Sequence, residues 1–210
     1  VERLVGKIPL RKANPREMVQ LSRSMELMQE IADLGTAAGH EHLARLTSSF
    51  RPLREVWERI RTVIDDDPPA VPGKGNIIRE GVHEELDQLR KISRSGKDYL
   101  LHIQQTEAQR TGIASLKVAY NNVFGYYLEV THTHKDKVPS DWIRKQTLTN
   151  AERYITPELK EYEEKILGAE ERILSLETEL YQNLLAEIIP HIADIQANAQ
   201  IIAQIDCLLS

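Results

Sequence analysis

The chain has 210 residues, of which 41% are hydrophobic and 28% charged, enough apolar content to bury a core and too much to stay disordered. No apolar run approaches bilayer-spanning length, no signal-peptide pattern is seen in these residues, and the single Cys207 excludes an internal disulfide, so a soluble, cytoplasmic chain with no membrane partner is expected. A net charge of −5 by itself argues weakly against a nucleic-acid partner, because phosphate neutralisation leaves a cationic footprint. Val1 opens the chain in place of Met, and helical periodicity still runs at Ser210, so a piece of a longer protein is expected.

In chain order, Asn14, Pro15 and Glu17 supply a cap, a first-turn proline and a capping-box acid. The stripe Met18, Leu21, Met25 and Met28 follows and predicts core packing rather than an adaptable groove. From Leu43 the apolar positions Leu46, Phe50, Leu53, Trp57, Ile60 and Ile64 predict helix, kinked or split at Pro52. The stretch "DDDPPAVPGKG", Asp65 to Gly75, reads as a linker, and the phosphate-loop spacing G-x-x-x-x-G-K-[ST] occurs nowhere in the chain. After Gly81, a second long helix is marked by Val82, Leu86, Leu89, Ile92, Tyr99 and Ile103 and runs towards Arg110, with Gly96 on its face.

Between Lys117 and Tyr154 the composition changes. Six basic residues stand against four acidic ones, a local charge of +2 that leaves −7 for the rest, and six of the eleven aromatics fall there. "SLKVAY" and "GYYLEVTH" alternate apolar and polar positions around the turn "NNVF", which predicts a hairpin. A third strand is expected over Arg144 to Leu148 and a fourth over Ala151 to Ile155. Counting outward and inward passes places two turns together at the far tip, Asn121 with Asn122 and Thr149 with Asn150, and puts "THKDKVPSDW" nearer the helical stalk. Amides, hydroxyls and free backbone N–H groups on such turns, backed by Lys145 and Arg144, suit contact with phosphate oxygens without reading sequence. The same asparagines also fit ordinary turns, since Asn bonds its own backbone and tolerates left-handed conformations.

Thr156 then caps a helix with Pro157 in its first turn and Glu158 where the dipole favours an anion. Leu159, Tyr162, Ile166, Ala169, Ile173, Leu176, Leu180 and Leu184 repeat at 3,4 spacing before Pro190. The other faces carry Glu158, Glu161, Glu163, Glu164, Glu170, Glu171, Glu177 and Glu179, which repel a phosphate backbone and leave contact with an anion to the helix end. The pairs His132 with His134 and His40 with His42 have no third ligand at metal spacing, and no nucleophile accompanies the carboxylates.

The stretches "LKVAYNNVFGYYLEV", "RKQTLTNAERYITPELKEYEEKIL", "NIIREGVHEELDQLR" and "VERLVGKIPLRKANPREMVQL" closely resemble the core and clamp regions of the MutS DNA mismatch repair family, and the resemblance extends over essentially all 210 residues. It implies a mainly α fold, with a helical core, two long antiparallel lever helices and a small antiparallel β-sheet clamp inserted between them. The implied division is 1–115 for the first part of the core, 116–155 for the clamp and 156–210 for the second part of the core. It also implies a protein that encircles duplex DNA as a homodimer, holds the backbone without sequence specificity and works with downstream mismatch repair proteins near the nucleoid.

Transferred to this chain, the DNA-facing positions are Asn121, Asn122, Lys145, Thr149 and Asn150. Thr149 stands where some relatives place a lysine, which implies one charged phosphate contact fewer. The family's Phe-x-Glu mismatch-reading motif is not found in these residues, and neither is its nucleotide-binding domain. ATP and Mg²⁺ are therefore implied for the parent protein, with no cofactor and no catalysis expected in this piece. A reading of another class, a coiled-coil protein-interaction module that ignores DNA, rests on the sustained 3,4 repeats and acidic helix faces.

Overall fold

The computed structural model describes residues 1–71 and 73–209 of this chain, in which a side-chain cap followed by a proline starts two of the long helices, at Asn14 and at Thr156. Pro72, within the expected linker, and Ser210 lie outside the described residues. Two compact units are present, one formed by Val1–Glu84 with the chain from Leu174 onward, the other by Glu85–Ile173.

In the first unit, a short helix α1 (Glu2–Val5) precedes α2 (Pro15–Ala37). Asn14 caps α2 through a complete capping box: its Oδ1 accepts from the Glu17 backbone N–H at 2.9 Å, and Glu17 accepts from the Asn14 N–H at 3.0 Å. The stripe of α2 is core, with Met18, Leu21, Met25 and Met28 all buried. Helices α3 (Glu41–Thr47) and α4 (Arg54–Val63) flank Pro52, as its missing N–H requires. Ile64 and Ile78 close an isolated antiparallel bridge across the linker. Ser22 donates to the Trp57 carbonyl at 3.0 Å, and Tyr181 donates its hydroxyl to the Ala13 carbonyl at 2.7 Å, so buried polar groups are spent inside the unit.

Helix α5 (Glu84–Thr111) leads into a four-stranded antiparallel sheet, β1 (Lys117–Asn121), β2 (Gly125–Thr131), β3 (Ile143–Thr147) and β4 (Ala151–Ile155), in the order β1-β2-β4-β3. A 3₁₀ helix, His132–Lys137, follows β2. Thr156 then starts α6 (Pro157–Ile188) by accepting from the Leu159 N–H at 3.1 Å. A 3₁₀ turn Ile189–His191 containing Pro190 separates α6 from α7 (Ile192–Leu209).

Helices α5 and α6 run antiparallel: Arg172 meets Glu85, Ser93 meets Glu170, Gly96 meets Ile166, and Tyr99 stacks on Tyr162 with centroids 3.9 Å apart. One sheet face closes on this pair, burying Leu116, Leu128, Val130, Trp142 and Tyr154 with Leu100, Ile103, Leu159 and Ile166. Leu128, Leu159 and Ile166 are wholly buried, each contributing roughly 1.5–3 kcal/mol of transfer energy. The architecture is mainly α with a small sheet inserted between two long antiparallel helices, as expected.

Candidate nucleic-acid interface

The register fixes which groups share an end of the sheet. At one end Thr131 pairs with Ala151, so the β2 terminus and its 3₁₀ helix adjoin the turn Leu148–Asn150. The His132 N–H donates to the Asn150 carbonyl at 3.2 Å, and its Nε2 lies 3.0 Å from the Leu148 carbonyl oxygen, tying the two segments together. Thr149 and Asn150 are exposed there, beside exposed Thr131, Thr133 and Lys135. Lys117, at the start of β1, opens on the same end.

At the other end Asn121 pairs with Gly125 and Ile143 with Ile155. Asn121 Oδ1 accepts from the Val123 N–H at 2.8 Å, so its amide oxygen is used by its own turn. Asn122 is exposed, and Lys145, at the bulge between Arg144 and Gln146, lines a cleft with it. The structure therefore brings Thr149 together with Asn150, and Asn122 together with Lys145, but sets the two groups at opposite ends of the sheet. The single tip expected from the sequence is corrected.

The cause is the link between α5 and β1. Gly112 has φ +67°, a left-handed value open to glycine, and turns the chain back immediately after α5. β1 then descends along α5, with the Val118 N–H donating to Gln104 Oε1 at 2.8 Å. The hairpin turn consequently falls against α6, where the Tyr126 N–H donates to the Glu163 carboxylate. The segment "THKDKVPSDW" begins at the Thr149 end and then returns to the helical stalk, as expected: Lys137 reaches the Gly112 carbonyl at 3.2 Å and Asp141 meets Arg110 of α5 at 3.1 Å. His132 and His134 lie in the 3₁₀ helix and do not form a strand face.

Beneath the Thr149 end, Glu152 is 2% exposed and gathers its neighbours. Tyr154 donates its hydroxyl to this carboxylate, and Lys135 and Arg144 stand 3.2 and 3.5 Å from it. The Tyr154 hydrogen bond, then the Lys135 hydrogen bond and the two cations, hold Glu152 below the usual carboxylate range. Burial and the Glu152 contact push Tyr154 up to about 12. Lys135, Thr133 and Lys117 are interface candidates that counting strand passes does not reveal; the signal present in the sequence is the run of threonine, histidine and lysine directly after the second strand. On the outward face Arg153 lies over the Tyr127 ring at 4.3 Å and pairs with Glu129 at 3.1 Å, so its charge is spent within the sheet.

Residues 81–172 match the family model described as MutS family domain IV. Over all 210 residues the chain is 54% identical to the DNA mismatch repair protein MutS of Parabacteroides distasonis, 54% identical to that of Bacteroides thetaiotaomicron and 54% identical to that of Cytophaga hutchinsonii. The alignment covers the whole of this chain and 24% of each relative. The inserted sheet, the antiparallel helix pair and these matches agree: the chain belongs to the MutS DNA mismatch repair family, as a segment of about a quarter of its relatives' length.

Proposed function

We propose that this chain is the DNA-embracing part of a mismatch repair protein, in which residues 116–155 form a clamp on the duplex backbone and residues 1–115 and 156–210 form the core and levers that carry it. The observation that carries the reading is the sheet end where Thr149 and Asn150 sit exposed beside Thr133, Lys135 and Lys117. Hydroxyl, amide and ammonium donors gathered on a turn position a phosphate backbone and carry no sequence information. The reading is kept for Thr149 and Asn150 and moved away from Asn121, Asn122 and Lys145. In the parent protein two such clamps would close around one duplex as a homodimer, in the cytoplasm at the nucleoid, and hand the signal to downstream mismatch repair proteins. ATP and Mg²⁺ would act in another domain of that parent, since no phosphate-loop spacing occurs in these residues.

A helix-pairing module that ignores DNA is not favoured, because the 3,4 stripe of α6 is spent within the chain: Leu159, Ile166, Leu176 and Leu184 are all buried. The test is fluorescence anisotropy of a labelled twenty-base-pair duplex titrated with the chain at two salt concentrations. Asn150→Asp and Lys117→Glu weaken binding and reduce the salt slope, by about 0.9 for each phosphate no longer neutralised. Asn122→Asp leaves both unchanged. Equal effects from the two ends of the sheet would count against the assignment.

A further inference from the structure

Between the β1–β2 turn and α6 lies a cleft of about 400 Å³, lined by Tyr120, Phe124, Ile155 and Leu167 together with Lys145 and Lys160. Its apolar side chains are held outward. Tyr120 is 46% exposed, Phe124 39% and Val123 79%. Gly125, at φ +76°, stands directly over the Glu163 carboxylate, and the Tyr126 N–H donates to it, so the turn is clipped to α6 and its side chains cannot fold beneath. Rigid, exposed aromatic groups beside a concavity mark recognition surfaces.

The charges point to what enters. Neighbouring cations of this unit are paired: Arg153 with Glu129 at 3.1 Å, Lys165 with Glu161 at 2.7 Å, Lys97 with Glu170 at 2.5 Å. The ammonium groups of Lys145 and Lys160 have no such partner among the described residues, and Glu163, the acid within the cleft, is occupied by the turn. Helix α6 beside it carries Glu158, Glu161, Glu164, Glu170 and Glu171, which oppose a continuous polyanion but leave room for one carboxylate.

We propose that this cleft docks a segment of another protein in which an apolar or aromatic side chain neighbours a carboxylate, the side chain entering among Tyr120, Phe124 and Leu167 and the carboxylate meeting Lys145 and Lys160. The inference does not depend on the DNA contact at Thr149 and Asn150.

The test titrates the ¹⁵N-labelled chain with the capped peptide Ser-Asp-Leu-Phe-Gly, its Asn-for-Asp counterpart and a short thymidine oligomer. The acidic peptide should shift the amides of Val123, Gly125, Tyr126 and Lys145, with a dissociation constant on the order of 1 mM. The Asn peptide should bind about threefold more weakly, and the double variant Lys145→Glu/Lys160→Glu about tenfold more weakly, as charge complementarity requires. Phe124→Ser, at an exposed site, should abolish the shifts while the rest of the spectrum is retained. No shifts at several millimolar, or equal shifts from the two peptides, overturn the proposal. Stronger shifts from the oligomer, or concentration-dependent shifts without any peptide, overturn it in favour of nucleic acid or of a second copy.

Discussion

Gly96 of α5 faces Ile166 of α6 so closely that a Cβ on Gly96 would stand 2.5 Å from Ile166 Cγ1. Ile166 is wholly buried, so it has no room to retreat. Gly96→Ala gains helix propensity of up to about 1 kcal/mol and loses about 1–3 kcal/mol to overpacking. The expected outcome is a net loss of about 1–2 kcal/mol, read from urea unfolding of the Glu85–Ile173 unit by a probe such as Trp142 fluorescence. Adding Ile166→Ala should cost less in the Gly96→Ala background than in the parent chain; additive losses would show that the contact is loose.

Glu152 makes the sheet sensitive to acid. Its folded pKa lies below the ordinary value of 4.5, so the stability it contributes is present above about pH 4.5 and is lost as pH falls through the folded value. Tyr154 acts on the alkaline side: its contribution is complete below pH 10.0 and is lost as pH rises towards about 12. Glu152→Gln should therefore lower the melting temperature most at neutral pH and progressively less below pH 4.5. A difference independent of pH would assign Glu152 a purely steric role.

Asn198, 1% exposed, grips one residue by both backbone groups: its Oδ1 accepts from the Arg51 N–H at 2.9 Å and its Nδ2 donates to the Arg51 carbonyl at 2.8 Å. Asn198→Ala leaves a donor and an acceptor without partners, each costing about 1–3 kcal/mol when buried. The expected loss is about 2–4 kcal/mol, with faster amide exchange at Arg51 as its local signature. Unchanged exchange would show that the Asn198 side chain does not protect this N–H.

Thr149 offers a gain of function. Thr149→Lys adds a cation at the exposed turn and should tighten duplex binding while steepening the dependence of log affinity on log salt by about 0.9. The same lysine placed at Asn122 should do neither. A tighter complex with an unchanged slope would indicate that the turn does not touch phosphate.

The sequence made most elements legible because each carried its own local chemistry: the capping box at Asn14 to Glu17, the break at Pro52, the alternation around "NNVF" and the Thr156 cap. The direction in which β1 leaves α5 was not legible. It depends on the left-handed turn at Gly112, and nothing in "RTGIAS" distinguishes a chain that continues outward from one that doubles back. That single reversal decides which turns meet, so the separation of Asn121 and Asn122 from Thr149 and Asn150 could not be read from spacing. The Glu152 cluster was hidden for a related reason: Lys135, Arg144 and Tyr154 converge on it through strand order, which alternation does not encode.

The order β1-β2-β4-β3 puts β4 inside the sheet, and the single residue Thr156 joins β4 to α6. A pull on the first turn of α6 thus enters through a strand bonded along both flanks. Its backbone bonds to β2 and β3 would share the force in shear, rather than parting one after another like a zip, as they would if an outermost strand were attached. The sheet is mounted on its helix in the way that best resists being torn off.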